Sequence, residues 1–248
     1  MQISILTLFP EMFSGPFSYS ILKRAQEKKL LKIKLVNIRD FATDRHKTVD
    51  DRPYGGGVGM ILRVDVLDRA IQATLNKDCP LRRTVLAKER ILLLDPQGKV
   101  FNQKMAKRLA KFEHLILVCG HYEGVDGRVR KLVDEEISIG DYILTGGEIP
   151  AMVVADGVTR LIPGVLTKEE AIQLESFSLS KPIPHTLSPK PSILLEYPQY
   201  TRPPIYGKWE VPKILLSGNH AQIEKWRQGQ ARKRTQKKRP DLTPIQKG

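Results

Sequence analysis

Ile3 to Leu8 and Ile33 to Ile38 read as strands, and Ile91 to Leu94 and Leu115 to Cys119 are short continuous apolar runs. Continuous apolar strands, unlike alternating ones, are what a parallel sheet covered on both faces requires. Helical stretches separate them: Val66, Leu67, Ala70, Ile71 and Thr74 form one stripe after Asp65, and Asn102 opens a short helix with Met105 and Leu109 inward. Alternating elements of this kind predict an α/β domain, with ligands at the carboxyl ends of the strands.

Three of those strand ends carry glycine. After Leu93 and Leu94 comes Asp95-Pro96-Gln97-Gly98, a turn by its proline and glycine. After Cys119 comes Gly120-His121-Tyr122-Glu123-Gly124-Val125-Asp126-Gly127-Arg128, and after Ile139 the stretch Gly140 to Glu148. In the last, Thr145 and Glu148 have the spacing of a capping box before the apolar run Ile149 to Val154, which predicts a helix N-terminus with Gly146 and Gly147 inside the cap. Glycines beside unpaired helix amides let a ligand bond to the backbone. Three such loops leaving one sheet edge predict a cofactor pocket.

The common nucleotide fingerprints are absent. Gly120, Gly124 and Gly127 are spaced G-x-x-x-G-x-x-G, which is not the dinucleotide pattern, and no G-x-x-x-x-G-K-[ST] occurs. Neither H-E-x-x-H nor a nucleophile elbow is present.

Upstream, Asp50-Asp51-Arg52-Pro53-Tyr54-Gly55-Gly56-Gly57-Val58-Gly59-Met60 is a pliable loop that either admits a large flat group or simply links two elements. Asp44, Arg45, His46 and Lys47 either contact RNA or are solvated.

With 248 residues, 41% of them apolar, the chain has material for one or two domains. No apolar run nears the roughly 18 residues that cross a bilayer, and Met1 to Phe9 reads as a first strand, not a signal peptide. Cys79 and Cys119 stand far apart, which argues against a disulfide framework or a zinc site and suits a reducing compartment; the expected location is the cytoplasm. The net charge of +14 is unevenly spread. Residues 1–166 hold 26 Lys and Arg against 20 Asp and Glu, and residues 167–248 hold 15 against 7. That asymmetry suggests a polyanion partner, since neutralising phosphates releases counterions.

After Leu166 the composition changes. Thr167 to Leu174 is polar and helix-like, and Ser180 to Tyr206 is rich in proline. Asn219 and Gln222 fit the start of a helix running to about Lys238 and stopped by Pro240, with Ile223 and Trp226 as its buried stripe. Lys225, Arg227, Arg232, Lys233, Arg234, Lys237, Lys238 and Arg239 stud it.

These stretches carry a resemblance. Asp-Arg-Pro-Tyr-Gly-Gly-Gly, Gly-His-Tyr-Glu-Gly-Val-Asp, Ser-Ile-Gly-Asp-Tyr-Ile-Leu-Thr-Gly-Gly-Glu, Leu161 to Leu166, Tyr200-Thr201-Arg202-Pro203 and Leu216-Ser217-Gly218-Asn219-His220 stand in the order seen in bacterial tRNA guanine-37 N1-methyltransferases. The chain resembles that family over nearly its whole length. The resemblance implies a SPOUT methyltransferase domain with a deep trefoil knot over residues 1–166, a flexible linker over 167–178, and a small, mainly helical, basic tRNA-binding domain over 179–248.

It also implies roles for particular residues. S-adenosyl-L-methionine is the expected methyl donor, held by Leu93, Leu94, Asp95, Pro96, Gly98, Gly120, Tyr122, Glu123, Ser138, Ile139, Gly140, Tyr142, Leu144, Gly146, Gly147 and Pro150. Adenine is expected against Ile139, Tyr142 and Leu144, although the last two also suit ordinary core packing. Glu123 matches a family glutamate near the cofactor's positive end, or else caps the helix that follows. Asp50, Arg52, Gly57 and Gly59 match the loop that takes the target guanine, with Val58 where the family often has proline. Lys225, Arg227, Arg232 and Arg234 are the expected grip on the tRNA anticodon arm.

N1 of neutral guanine carries a proton, so methylation there needs a base, and a cation to stabilise charge on O6. In the family the base is an aspartate before Ser-Phe and the cation an arginine on the helix after the glycine loop. The matching positions are Glu175, a departure by one methylene, and Arg160; Glu169 or Glu170 are alternative bases.

The resemblance further implies a homodimer, a role in maintaining reading frame, and neither DNA nor membrane as a partner. No metal site is expected, and a dependence on Mg²⁺ is not readable from the sequence. Two rival readings share the fold: a non-catalytic RNA-binding or assembly protein, and a SPOUT methyltransferase acting on another RNA.

Overall fold

The computed structural model describes residues 1–75, 88–168, 172, 175–177, 179–181 and 192–242. Cys79, Glu169 and Glu170 lie outside the described residues, as do most of the Thr167–Leu174 segment and residues 182–191 of the proline-rich one. The chain divides into two compact units, Met1–Thr167 and Lys168–Gly248.

The first unit is built on five parallel strands: β1 (Gln2–Thr7), β2 (Lys32–Asn37), β3 (Glu89–Val100), β4 (His114–Cys119) and β5 (Glu135–Ser138), in the spatial order β2-β1-β4-β3-β5. Helices α1 (Ser20–Glu27), α2 (Val64–Thr74), α3 (Gln103–Leu109) and α4 (Glu148–Thr159) cover it. Residues 91–94 and 115–119 are at most 4% exposed, which is why their runs are apolar without interruption. Successive strand side chains point to opposite faces. Leu92, Leu94, Leu115 and Leu117 pack with α1, α3 and α4, while Ile91, Leu93, Ile116 and Val118 pack with α2. The stripe expected on α2 is its buried face, residue for residue. Each fully buried Leu or Ile there contributes about 1.5–3 kcal/mol.

One strand departs from expectation. β3 does not stop at a turn after Leu94, because Leu94 and Lys99 both pair with Ile137 of β5. Asp95 to Gly98 is therefore an excursion within a strand that resumes and runs to Val100.

The second unit holds two short antiparallel ribbons, Leu179–Lys181 with Ser192–Leu194 and Ile205–Tyr206 with Trp209–Glu210. Its main element is α5 (His220–Lys238). Asn219 caps α5 by accepting from the Gln222 amide at 3.1 Å. Its inward face is Ile223, Ala231 and Thr235, with Trp226 half-buried. No helix among the described residues is long and apolar enough to cross a membrane.

Candidate active site

The carboxyl ends of β3, β4 and β5 enclose a cavity of about 400 Å³. Three segments line it: Leu93 to Gln97, Gly120 to Val125, and Ile137 to Gly147 without Asp141; Pro150 of α4 adds to the wall. Fifteen of the sixteen residues expected to hold a cofactor are among them. Gly98 is not. A Cβ there would stand 2.4 Å from the backbone of Glu136 and Ile137, so Gly98 serves a crossing of two chain segments behind the cavity.

Specific bonds fix each segment. Arg130 pairs with Asp95 at 3.1 Å and with Glu136, anchoring the first loop to β5. The Gly147 amide donates to Gly120 O at 2.8 Å, joining the second loop to the third. In the third, the Gly140 amide donates to Ser138 Oγ at 3.1 Å, and a Cβ on Gly140 would lie 2.5 Å from the Tyr142 ring. Tyr142, Ile143 and Leu144 expose apolar surface here, 54%, 80% and 37% respectively, so they are not core residues. They leave apolar surface for a flat ligand to cover.

The capping box does not form as read. The residue before α4 is Gly147, and no side chain caps this N-terminus. Glu148 is instead 1% exposed, and its Oε1 accepts from Thr7 Oγ1 at 2.7 Å. His121 Nδ1 lies 3.7 Å from Glu148 Oε2. Neither His121 nor Glu148 stood out in the sequence, because one sat inside a loop motif and the other fitted a cap. The wall residues Gln97, Val125, Ile137 and Ile143 also carried no signal of their own, and Thr145 was read only as a helix cap. Cys119 is buried at the end of β4, where burial, with Glu148 nearby, pushes its thiol well above its ordinary pKa. It stays protonated and packs as a small apolar side chain.

Glu123 does not cap the next helical turn; Asp126 does, accepting from the Arg128 amide at 2.9 Å. Glu123 lines the cavity and also meets the glycine-rich loop, its amide donating to Met60 O at 3.1 Å. A Cβ on Gly59, at φ +86°, would come within 2.5 Å of Glu123 Cγ. Asp50 is anchored by a short antiparallel pairing with Leu62, and Leu62 in turn donates its amide to Gly124 O at 3.0 Å. The loop bearing Arg52, Gly57 and Gly59 is thus docked on the second cavity loop, with Tyr54 and Val58 exposed at its tip.

Arg160 is the C-terminal cap residue of α4, at the end opposite the cavity. Twelve residues at about 1.5 Å each separate the two ends by roughly 18 Å. It shares a helix face with Ile149 and Val153, which are 46% and 42% exposed. Glu175 is in the second unit, half-buried just before Ser176 and Phe177. On α5, Lys225 and Arg232 are exposed, Arg234 is half-buried, and Arg227 lies over the Tyr197 ring at 5.0 Å. Among the described residues, no group of three or more His, Cys, Asp or Glu could hold a metal ion.

Residues 1–245 match the family described as tRNA (Guanine-1)-methyltransferase TrmD. A protein named tRNA (guanine-N(1)-)-methyltransferase from Syntrophomonas wolfei is 53% identical over 98% of this chain and 90% of its own length. Proteins of the same name from Carboxydothermus hydrogenoformans and Dictyoglomus turgidum are 52% and 50% identical, over 99% and 98% of this chain and 88% and 89% of theirs.

Proposed function

The chain belongs to the tRNA (guanine-1)-methyltransferase family, and from that membership we infer that it methylates N1 of guanine-37 in tRNA, with S-adenosylmethionine as donor. The observation that carries this reading is the convergence of three glycine-bearing strand ends on one cavity of about 400 Å³. The volume suits a nucleoside-sized ligand. The residues fit the cofactor: Ile139, Tyr142 and Leu144 offer apolar surface to a purine, Gly120, Gly140 and Gly146 bring backbone into the wall, and Glu123 sets a carboxylate there. When bound, the cofactor supplies an electrophilic methyl group.

The protein's own residues prepare the nucleophile. Glu175 takes the N1 proton, leaving the N1 lone pair to form the new bond, and Arg160 stabilises the negative charge that gathers on O6. Asp50, Arg52, Gly57 and Gly59 hold the guanine. The docking of their loop on Glu123 and Gly124 supports this, because it sets the base-binding loop beside the cofactor wall.

The reading includes the deep trefoil knot of the SPOUT methyltransferases. Its support is the place where β3 resumes after Asp95–Gly98, with Gly98 against the backbone of β5. It also includes a homodimer. One copy leaves Arg160 at the far end of α4 from its own cavity, on a face with exposed Ile149 and Val153. A two-fold axis perpendicular to α4 runs the paired helices antiparallel and brings each Arg160 toward the other copy's cavity. The linker at 167–178 and the basic helical domain at 179–248 then bind the anticodon arm, and the site of action is the cytoplasm, where tRNA is used.

The test is methyl transfer from labelled S-adenosylmethionine to transcripts that differ only at position 37. Label in the guanine transcript and none in the adenine transcript is expected; equal labelling of both sinks the assignment of the target base.

A further inference from the structure

A buried carboxylate joins three separate segments beneath the cavity. Glu148, at the first turn of α4, accepts from Thr7 Oγ1 of β1 through Oε1 and turns Oε2 to His121, in the loop after β4. His121 lines the cavity, and its ring packs between Phe9 at 4.8 Å and Tyr122 at 4.9 Å. Its Nδ1 is buried and makes no hydrogen bond among the described residues, although the side chain as a whole is 21% exposed. The exposed part therefore belongs to the other side-chain atoms.

Gly146 keeps the two groups face to face. A Cβ at that position would stand 2.4 Å from Glu148 Oε2 and 2.5 Å from His121 Nδ1. The missing side chain thus leaves room for a carboxylate to meet an imidazole. The 3.7 Å gap closes to a hydrogen bond with a shift of less than about 1 Å.

We propose that Glu148 is a positioning residue for the cofactor cavity: it takes the Nδ1–H of His121 and so presents Nε2, unprotonated, as a hydrogen-bond acceptor to a donor group of the bound cofactor. The bond made by one ring nitrogen sets the role of the other. A carboxylate can only accept, so the proton on Nδ1 is the one it selects. Thr7 keeps the carboxylate from turning away. This proposal rests on the reading of the cavity as the S-adenosylmethionine site.

The test uses S-adenosylhomocysteine, the demethylated product, with the full-length protein at pH 8. Side-chain ¹⁵N spectra, with His121 assigned by loss of its signals in His121→Asn, report the tautomer, and calorimetry reports affinity. The expected result is a neutral Nδ1–H tautomer in the bound wild type. Glu148→Gln keeps an acceptor for Thr7 but offers an amide N–H to His121, so the proton moves to Nε2. Glu148→Gln and His121→Asn should each weaken binding about tenfold, and the double variant should be no weaker than His121→Asn alone, since the two act through one interaction. An Nε2–H tautomer or an imidazolium in the bound wild type overturns the proposal, as do additive losses. If Glu148→Gln does not fold, the wild-type tautomer and the His121→Asn affinity decide. Failure of the wild type to bind S-adenosylhomocysteine, with the Nδ1–H tautomer present in the free protein, overturns the cavity reading and the ligand role of His121 together, and leaves only the Glu148–His121 pairing.

Discussion

A Cβ on Gly98 would stand 2.4 Å from the backbone nitrogen of Ile137, a residue that pairs with β3 both before and after the excursion that ends at Gly98. Backbone cannot give way as a flexible side chain can. Gly98→Ala should therefore cost about 3 kcal/mol of stability through overpacking. Gly127→Ala, with nothing within 4 Å of its Cβ, should stay within about 0.5 kcal/mol of wild type. Chemical denaturation of both variants checks the contrast.

Thr7→Val should be destabilising although the side chains are nearly isosteric. It removes the only hydrogen bond described for Glu148 Oε1 and leaves a buried carboxylate oxygen without its donor. The expected loss is about 1–3 kcal/mol, read as a lower midpoint in urea with an unchanged m-value.

Asp126 ties stability to acid pH. Its side-chain bond to Arg128 holds the carboxyl below its ordinary 3.8 despite partial burial, and its amide donates to Leu62 O at 3.0 Å. A depressed folded pKa gives stability that is present above pH 3.8 and is lost as pH falls through the folded value. Asp126→Asn should be less stable than wild type at pH 7, and the difference should shrink below that range. Urea titrations at pH 7 and at successively lower pH follow the change.

Basic residues on α5 should separate by exposure. Lys225→Gln and Arg232→Gln, on the exposed face, should leave stability unchanged and lower the slope of log K against log salt for tRNA by about one for each phosphate no longer neutralised. Arg227→Gln also gives up its place over the Tyr197 ring, so it should lower the melting temperature as well. A salt slope near zero in the wild type would contradict the electrostatic grip.

The centre of the sheet was legible because its strands bury both faces, whereas the edge strand β2 exposes Lys32, Lys34 and Leu35. Ile91 to Leu94 is apolar throughout, as a strand covered on both faces requires, and the stripe Val66, Leu67, Ala70, Ile71 and Thr74 has helical period. The cavity was legible because glycines mark where strands end. What escaped was tertiary. Asp95-Pro96-Gln97-Gly98 has turn chemistry, and no local signal says that the strand resumes beyond it against the same partner. Glu148 has the spacing of a capping partner for Thr145, yet its carboxylate is taken by Thr7, 141 positions earlier. Arg160 and Glu175 were singled out only through the family pattern, since nothing in the periodicity distinguishes such a charge from a solvated one.

In the proposed mechanism the N1 proton is taken by Glu175, where the chain departs from the aspartate of the family pattern. Single-turnover methyl transfer by Glu175→Ala, with cofactor affinity measured alongside, tests this most directly. The expected result is a loss of about 10²-fold or more in the transfer rate with cofactor affinity unchanged. A loss under about tenfold would contradict it and assign the proton to another group.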